Sequence, residues 1–247
     1  MRRLRHLSSQ CRTVSTNRIL GILLAFNAGA INAGGFLVVG MYTSHMTGFA
    51  SMVSDNLILG NFKLVLGAVG ALLAFTTGAA ATAVLVNWAR QTGLHSEYAI
   101  PLLIEAALLL VFGLIGATFN RQTPFAVPFT VLMLAFIMGL QNALVTKISL
   151  SAIRTTHMTG VITDLGIELG KLLYWNRLVT SGDGQVRADR SKLRLYVGLL
   201  SAFMGGGLVG AAGFKYVGFI WVVPLATLLL VLSLPPLVSD LRRLSKH

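Results

Sequence analysis

Six stretches of this chain are apolar over about the 20 residues a helix needs to cross the hydrocarbon core of a bilayer. They fall at about 19–42, 64–88, 99–118, 126–147, 195–214 and 217–238. Inside lipid a helix satisfies its own backbone hydrogen bonds, so six such runs predict a polytopic, all-α membrane helix bundle. Only 11% of the 247 residues are charged, against about 25% in a soluble domain. With 19–238 assigned to a single membrane domain, little length remains for a second, soluble one. The first run is longer than the 7–15-residue apolar core of a removable signal peptide, and it reads as a structural helix. The single cysteine, Cys11, lies in the polar N-terminal tail and forms no internal disulfide.

Charge orients the bundle. The net charge of +12 is concentrated in a basic tail (1–18), a polar loop at about 176–192 and a second basic tail (239–247). Lys and Arg mark cytoplasmic segments, and six crossings place all three on that side. The opposite side keeps Lys63, Arg121 and Lys215. An eight-crossing arrangement also leaves both termini inside, but it sends Lys147 and Arg154 outward and ranks second. The expected location is therefore a bacterial inner membrane, with both termini cytoplasmic and the lipid bilayer as the principal partner. No basic segment is interleaved with aromatics as a nucleic-acid surface would be, so no nucleic-acid partner is expected.

The string His-Met-Thr-Gly occurs twice, in YTSHMTGFAS (42–51) and RTTHMTGVIT (154–163). GAINA (29–33) precedes the first copy and GLQNA (139–143) the second, while AFTTG (74–78) and AFMGG (202–206) follow in the same order. Three collinear matches predict an internal repeat, with one copy over about 19–118 and the other over about 126–238. Each copy holds three crossings, and an odd number turns the second upside down. The expected architecture is two inverted three-helix repeats with a site at their interface. The segments after each word, 46–60 and 158–173, are shorter and carry Asp55, Asp164, Glu168 and Lys171. They read as re-entrant or interfacial half-helices. Gly48 and Gly160 are the expected helix breaks, with Thr47 and Thr159 capping the half-helices that follow.

FIMGLQNALVTKIS (136–149) and RTTHMTGVITDLG (154–166) resemble the YoaK-like family of bacterial multi-pass membrane proteins. The first half departs from the family pattern, with Asn32 where an Asp is usual and Phe49 where an Asn is usual. Glu105 also looks family-like. The similarity runs over most of residues 18–238. It implies a shared membrane fold and brings no activity with it.

Within the apolar helices Asn32, Gln141 and Asn142 need hydrogen-bond partners, and they are candidates for reading a solute or for bonding between helices. His45 and His157, with Thr47 and Thr159, are the further candidates for solute binding. A soft-metal site at the adjacent His-Met pairs is disfavoured, because neighbouring residues on a helix project about 100° apart. Neither a metal nor a cofactor is therefore expected. Glu105 is the proton-coupling candidate, since intramembrane carboxylates serve as relays; the alternative is a hydrated helix end. Asp164, Glu168 and Lys171 read as a solvated charged face.

Gly-x-Ser-x-Gly, His-Glu-x-x-His and Cys-x-x-Cys are absent from the sequence, so no catalytic residues are assigned and no enzyme is expected. The favoured reading is a transporter or permease for a small solute, with its site between the repeats. A non-transporting membrane interaction or scaffold protein is the alternative, and a membrane-embedded enzyme ranks third. Six helices are few for a transporter, which leaves room for a homodimer.

Overall fold

The computed structural model describes residues 14–118, 126–149, 155–174 and 186–244. Cys11, Arg121, Arg154 and most of the 176–192 loop lie outside the described residues. Eight α-helices occupy most of the rest: α1 Val14–Val39, α2 Met46–Ile58, α3 Phe62–Gln91, α4 Ala99–Thr118, α5 Ala126–Ile148, α6 Met158–Leu173, α7 Arg190–Tyr216 and α8 Val222–Leu244. A short 3-10 turn, Gly218–Trp221, joins the last two. Six of the helices (α1, α3, α4, α5, α7 and α8) are long and apolar enough to span a membrane. The other two follow the repeated word. With 13 and 16 residues, α2 and α6 reach only about 20–24 Å at the helical rise, short of the roughly 30 Å core.

The backbone turns around α2 do not fall where the sequence suggested. Gly40, with φ 72°, stops α1, and Gly60, also with φ 72°, stops α2. Only glycine takes this left-handed conformation at little cost. Gly48 and Gly160 instead lie inside the first turns of α2 and α6, so neither is the break. His45 and His157 are the N-cap residues, with similar backbone angles and no side-chain capping bond. Thr47 and Thr159 come two residues later, past the position from which a hydroxyl caps.

The long helices pack through glycines. A Cβ on Gly29 would fall on the carbonyl oxygen of Phe203, and one on Gly206 would fall on the carbonyl oxygen of Phe26. These two contacts join α1 to α7 reciprocally. A second reciprocal pair joins α3 to α5: Gly78 meets the Phe136 carbonyl and Gly139 meets the Phe75 carbonyl. All four glycines end the same word, Ala-Phe-x-x-Gly, at 25–29, 74–78, 135–139 and 202–206. Small residues let backbones approach this closely, and such packing is a main source of helix association in lipid.

Contacts along each pair fix the relative directions. Ile22, Phe26, Ala30 and Gly34 of α1 meet Gly198, Gly206, Gly210 and Phe214 of α7 in rising order. On α3, Gly70, Thr82 and Asn87 meet Leu132, Leu140 and Lys147 of α5, again rising. Both pairs are therefore parallel. Between α4 and α8 the order reverses: Ser96, in the turn just before α4, bonds to Asp240, and Gly113 lies against Val222. The main apolar core lies among the long helices and includes Leu24, Ile31, Leu102, Leu134 and Leu229. A smaller cluster docks α2, where Phe49 packs with Ala68 and Ala71 of α3 and Val131 and Ala135 of α5.

Candidate functional site

Leu102, Glu105, Ala106 and Leu109 share one face of α4 at helical spacing, and all four are buried. The apolar neighbours place this face in the bundle interior and take the carboxyl with it. On α5, Met138, Gln141, Leu144 and Val145 form the corresponding inward face. Glu105 and Gln141 both have 0% exposure, and Gln141 Nε2 donates to Glu105 Oε1 across 2.7 Å. Glu105 is thus no hydrated helix end. The second carboxyl oxygen, Glu105 Oε2, and the amide oxygen, Gln141 Oε1, are buried without a hydrogen-bond partner among the described residues. Two residues singled out separately in the sequence are therefore one polar pair across two helices.

Further buried polar groups lie on the neighbouring elements. Asn27 of α1 has 0% exposure, and neither of its amide atoms has a partner among the described residues. Asn32, also buried, accepts from the backbone N–H of Ser44 at 3.3 Å and from its hydroxyl at 2.9 Å. That ties α1 to the turn preceding α2. Asn142 is half-buried, with Oδ1 unpartnered. Thr43 and Thr155, two residues before each His-Met-Thr-Gly His, are both fully buried with unpartnered hydroxyls. Sequence reasoning missed Asn27, Thr43 and Thr155; the matching positions of the two threonines were the available signal.

His45, Thr47, His157 and Thr159 are exposed, at the starts of the short helices. No hydrogen bond among the described residues joins them to Glu105 or Gln141. The His45 ring lies over Gly48, where a Cβ would meet it, whereas nothing lies within 4 Å of a Cβ on Gly160.

Charged groups gather at the helix ends. Glu168 of α6 is buried, not part of a solvated face: Oε1 accepts from Lys171 Nζ and Oε2 from the backbone N–H of Asp189, each at 2.8 Å. The Lys171 hydrogen bond, then the Asp189 N–H, hold the Glu168 carboxyl below the usual carboxylate range. Glu168 in turn raises Lys171. Asp189 caps α7 by accepting from the N–H groups of Ser191 and Lys192. At the α3–α4 turn, Arg90 bonds Glu97 at 2.9 Å and the Tyr98 hydroxyl at 3.1 Å. Beside it, Asp240 of α8 accepts from the Ser96 N–H at 2.8 Å and lies 3.8 Å from His95 Nδ1.

Six apolar helices, four of them joined in pairs by glycine–carbonyl contacts, with a buried carboxyl–amide pair between two of the six, define a polytopic helical membrane protein. A family model described as "Protein of unknown function (DUF1275)" matches residues 20–234, and the chain belongs to that family. It is similar to the UPF0700 transmembrane protein YoaK of Bacillus subtilis (strain 168), with 26% identity over 158 residues, covering 63% of this chain and 68% of the relative. No solved structure matches it.

Proposed function

We propose that this protein is an inner-membrane permease for a small solute, with both termini cytoplasmic and its polar centre at Glu105 and Gln141. The observation that carries this reading is the buried pair itself. An ionisable side chain deep in a bundle is costly to keep, and such residues commonly mark solute or proton pathways. Here the pair leaves one oxygen on each side chain uncommitted. Glu105 is the group through which a proton would be coupled to solute movement.

The packing supports a two-fold exchange of halves, in which α1 corresponds to α5, α2 to α6, α3 to α7 and α4 to α8. Such an exchange carries the α1–α7 contact onto α5–α3, including the reciprocal Phe–Gly contacts. It also reverses direction, since α4 and α8, which it exchanges, run antiparallel. Inverted repeats of this kind let one half rock against the other around a fixed centre. Asn32 and Asn142 are equivalent positions in this scheme.

Uptake of labelled neutral, anionic and cationic solutes by proteoliposomes tests the proposal. Flux above that of protein-free vesicles, lost in Glu105→Gln, is the expected result. Absence of flux for the whole panel would favour a membrane interaction protein whose buried pair only joins two helices.

A further inference from the structure

We infer that the solute handled at this centre is a small cation bearing N–H donors, held between Glu105 Oε2 and Gln141 Oε1. The inference rests on the permease reading above and narrows it to one solute class. Gln141 donates one N–H of its amide nitrogen to Glu105 Oε1. The two polar atoms of an amide diverge, so on the side away from Glu105 the group without a partner is the Gln141 oxygen, an acceptor. Glu105 Oε2 is the other uncommitted atom, and both are buried. The centre therefore presents two acceptors and one ionisable acid.

No described Lys, Arg or His forms an ion pair with Glu105. Ion pairs seen among the described residues, such as Arg90–Glu97, His95–Asp240 and Lys171–Glu168, lie near helix ends. A buried carboxylate needs a positive partner or else takes up a proton. An anionic solute would meet like charge there, and a neutral one would leave the proton as the only counter-charge. A quaternary ammonium supplies charge but no donor for the Gln141 oxygen. A cation with two or more N–H groups supplies both, through charge-assisted hydrogen bonds. Proton and cation would then compete for the same carboxyl, which couples their movements without any further group.

Guanidinium is a suitable probe because it stays charged and carries fixed N–H donors. Urea has a similar shape without the charge, and tetramethylammonium has the charge without donors. Wild-type protein in proteoliposomes should take up labelled guanidinium saturably, and excess urea or tetramethylammonium should leave that uptake intact. Glu105→Gln should lower uptake at least about tenfold, the scale of one lost charge-assisted hydrogen bond. Glu105→Asp should retain part of it. Melting of each variant in detergent shows that the loss is not unfolding. Equal uptake of urea, or full uptake by a folded Glu105→Gln protein, overturns the inference. If neutral or anionic solutes are carried and guanidinium is not, the solute class is wrong while the permease reading stands. If nothing is carried, both fall.

Discussion

Gln141 donates to Glu105 across 2.7 Å in a part of the bundle where neither side chain reaches the surface. The bond joins α5 to α4, so it has a structural value apart from any transport. Gln141→Leu keeps the bulk, removes the donor and leaves a buried carboxyl alone, at a cost of about 1–3 kcal/mol. Glu105→Gln keeps an oxygen that accepts from Gln141, so it should fold almost as well as wild type. Thermal unfolding in detergent should show a lower midpoint for Gln141→Leu and little change for Glu105→Gln. A wild-type midpoint for Gln141→Leu would mean the bond adds nothing to stability.

The glycine contacts give a sharper contrast. A methyl group on Gly206 or Gly78 would fall on a carbonyl of the facing helix, which cannot move aside as a flexible side chain can. Gly206→Ala and Gly78→Ala should each cost about 3 kcal/mol or abolish assembly, at the upper end of overpacking effects. Gly205 and Gly160 have nothing within 4 Å of a Cβ. Alanine there should be neutral, or stabilising by about 0.5–1 kcal/mol through helix propensity. Yield and melting of the four single variants decide it, and equal behaviour of Gly205→Ala and Gly206→Ala would refute the close approach.

What could be read from the sequence was what depends on local composition. The six long helices and the two short ones were legible because apolar run length is set within one segment. Glu105, Gln141 and Asn32 stood out as polar residues in apolar runs. That Glu105 meets Gln141 was not legible, since it depends on α4 packing against α5. The words AFNAG and AFIMG were present beside AFTTG and AFMGG, but their meaning lies in the pairing of α1 with α7 and α3 with α5. The breaks were misplaced because Gly48 drew attention through repetition, whereas Gly40 and Gly60 turn the chain without belonging to the repeated word. Glu168 was misread for a similar reason: its spacing to Lys171 suits a surface pair, and it is the approach of Asp189 from across the loop that closes over it.

The topology is open to a direct measurement. In a Cys11→Ala background, Lys63→Cys reports the start of α3 and Ser191→Cys the start of α7; both positions are exposed. With α2 and α6 too short to cross, the two sites should lie on opposite sides of the membrane, Lys63→Cys periplasmic and Ser191→Cys cytoplasmic. Only Lys63→Cys should then be labelled by an impermeant thiol reagent in whole cells. In an eight-crossing arrangement α2 and α6 span, and the two sites share a side. Equal labelling, or equal protection reversed by permeabilisation, would select that arrangement.

The α6–α7 junction should depend on pH in a defined direction. Lys171 and the Asp189 N–H both favour the charged form of Glu168, so its carboxyl titrates below the ordinary value near 4.5 when folded. A group whose folded value is depressed contributes stability that is complete above its unfolded value and is lost as pH falls through the folded one. The junction should therefore be intact at neutral pH and begin to loosen as pH drops below about 4.5. Glu168→Gln retains an oxygen for the Asp189 N–H but cannot pair with the Lys171 charge, so most of that dependence should disappear. Asp189 itself is held below the ordinary aspartate range by the N–H groups of Lys192 and Ser191, and its cap on α7 fades in the same direction. Amide exchange at Asp189 and at Ser191 separates the two contributions once intrinsic exchange rates are divided out. Glu168→Gln should flatten the acid-side loss of protection at Asp189 and leave that at Ser191 in place. If protection at Asp189 falls with acid equally in both proteins, the Glu168 contact does not hold the junction.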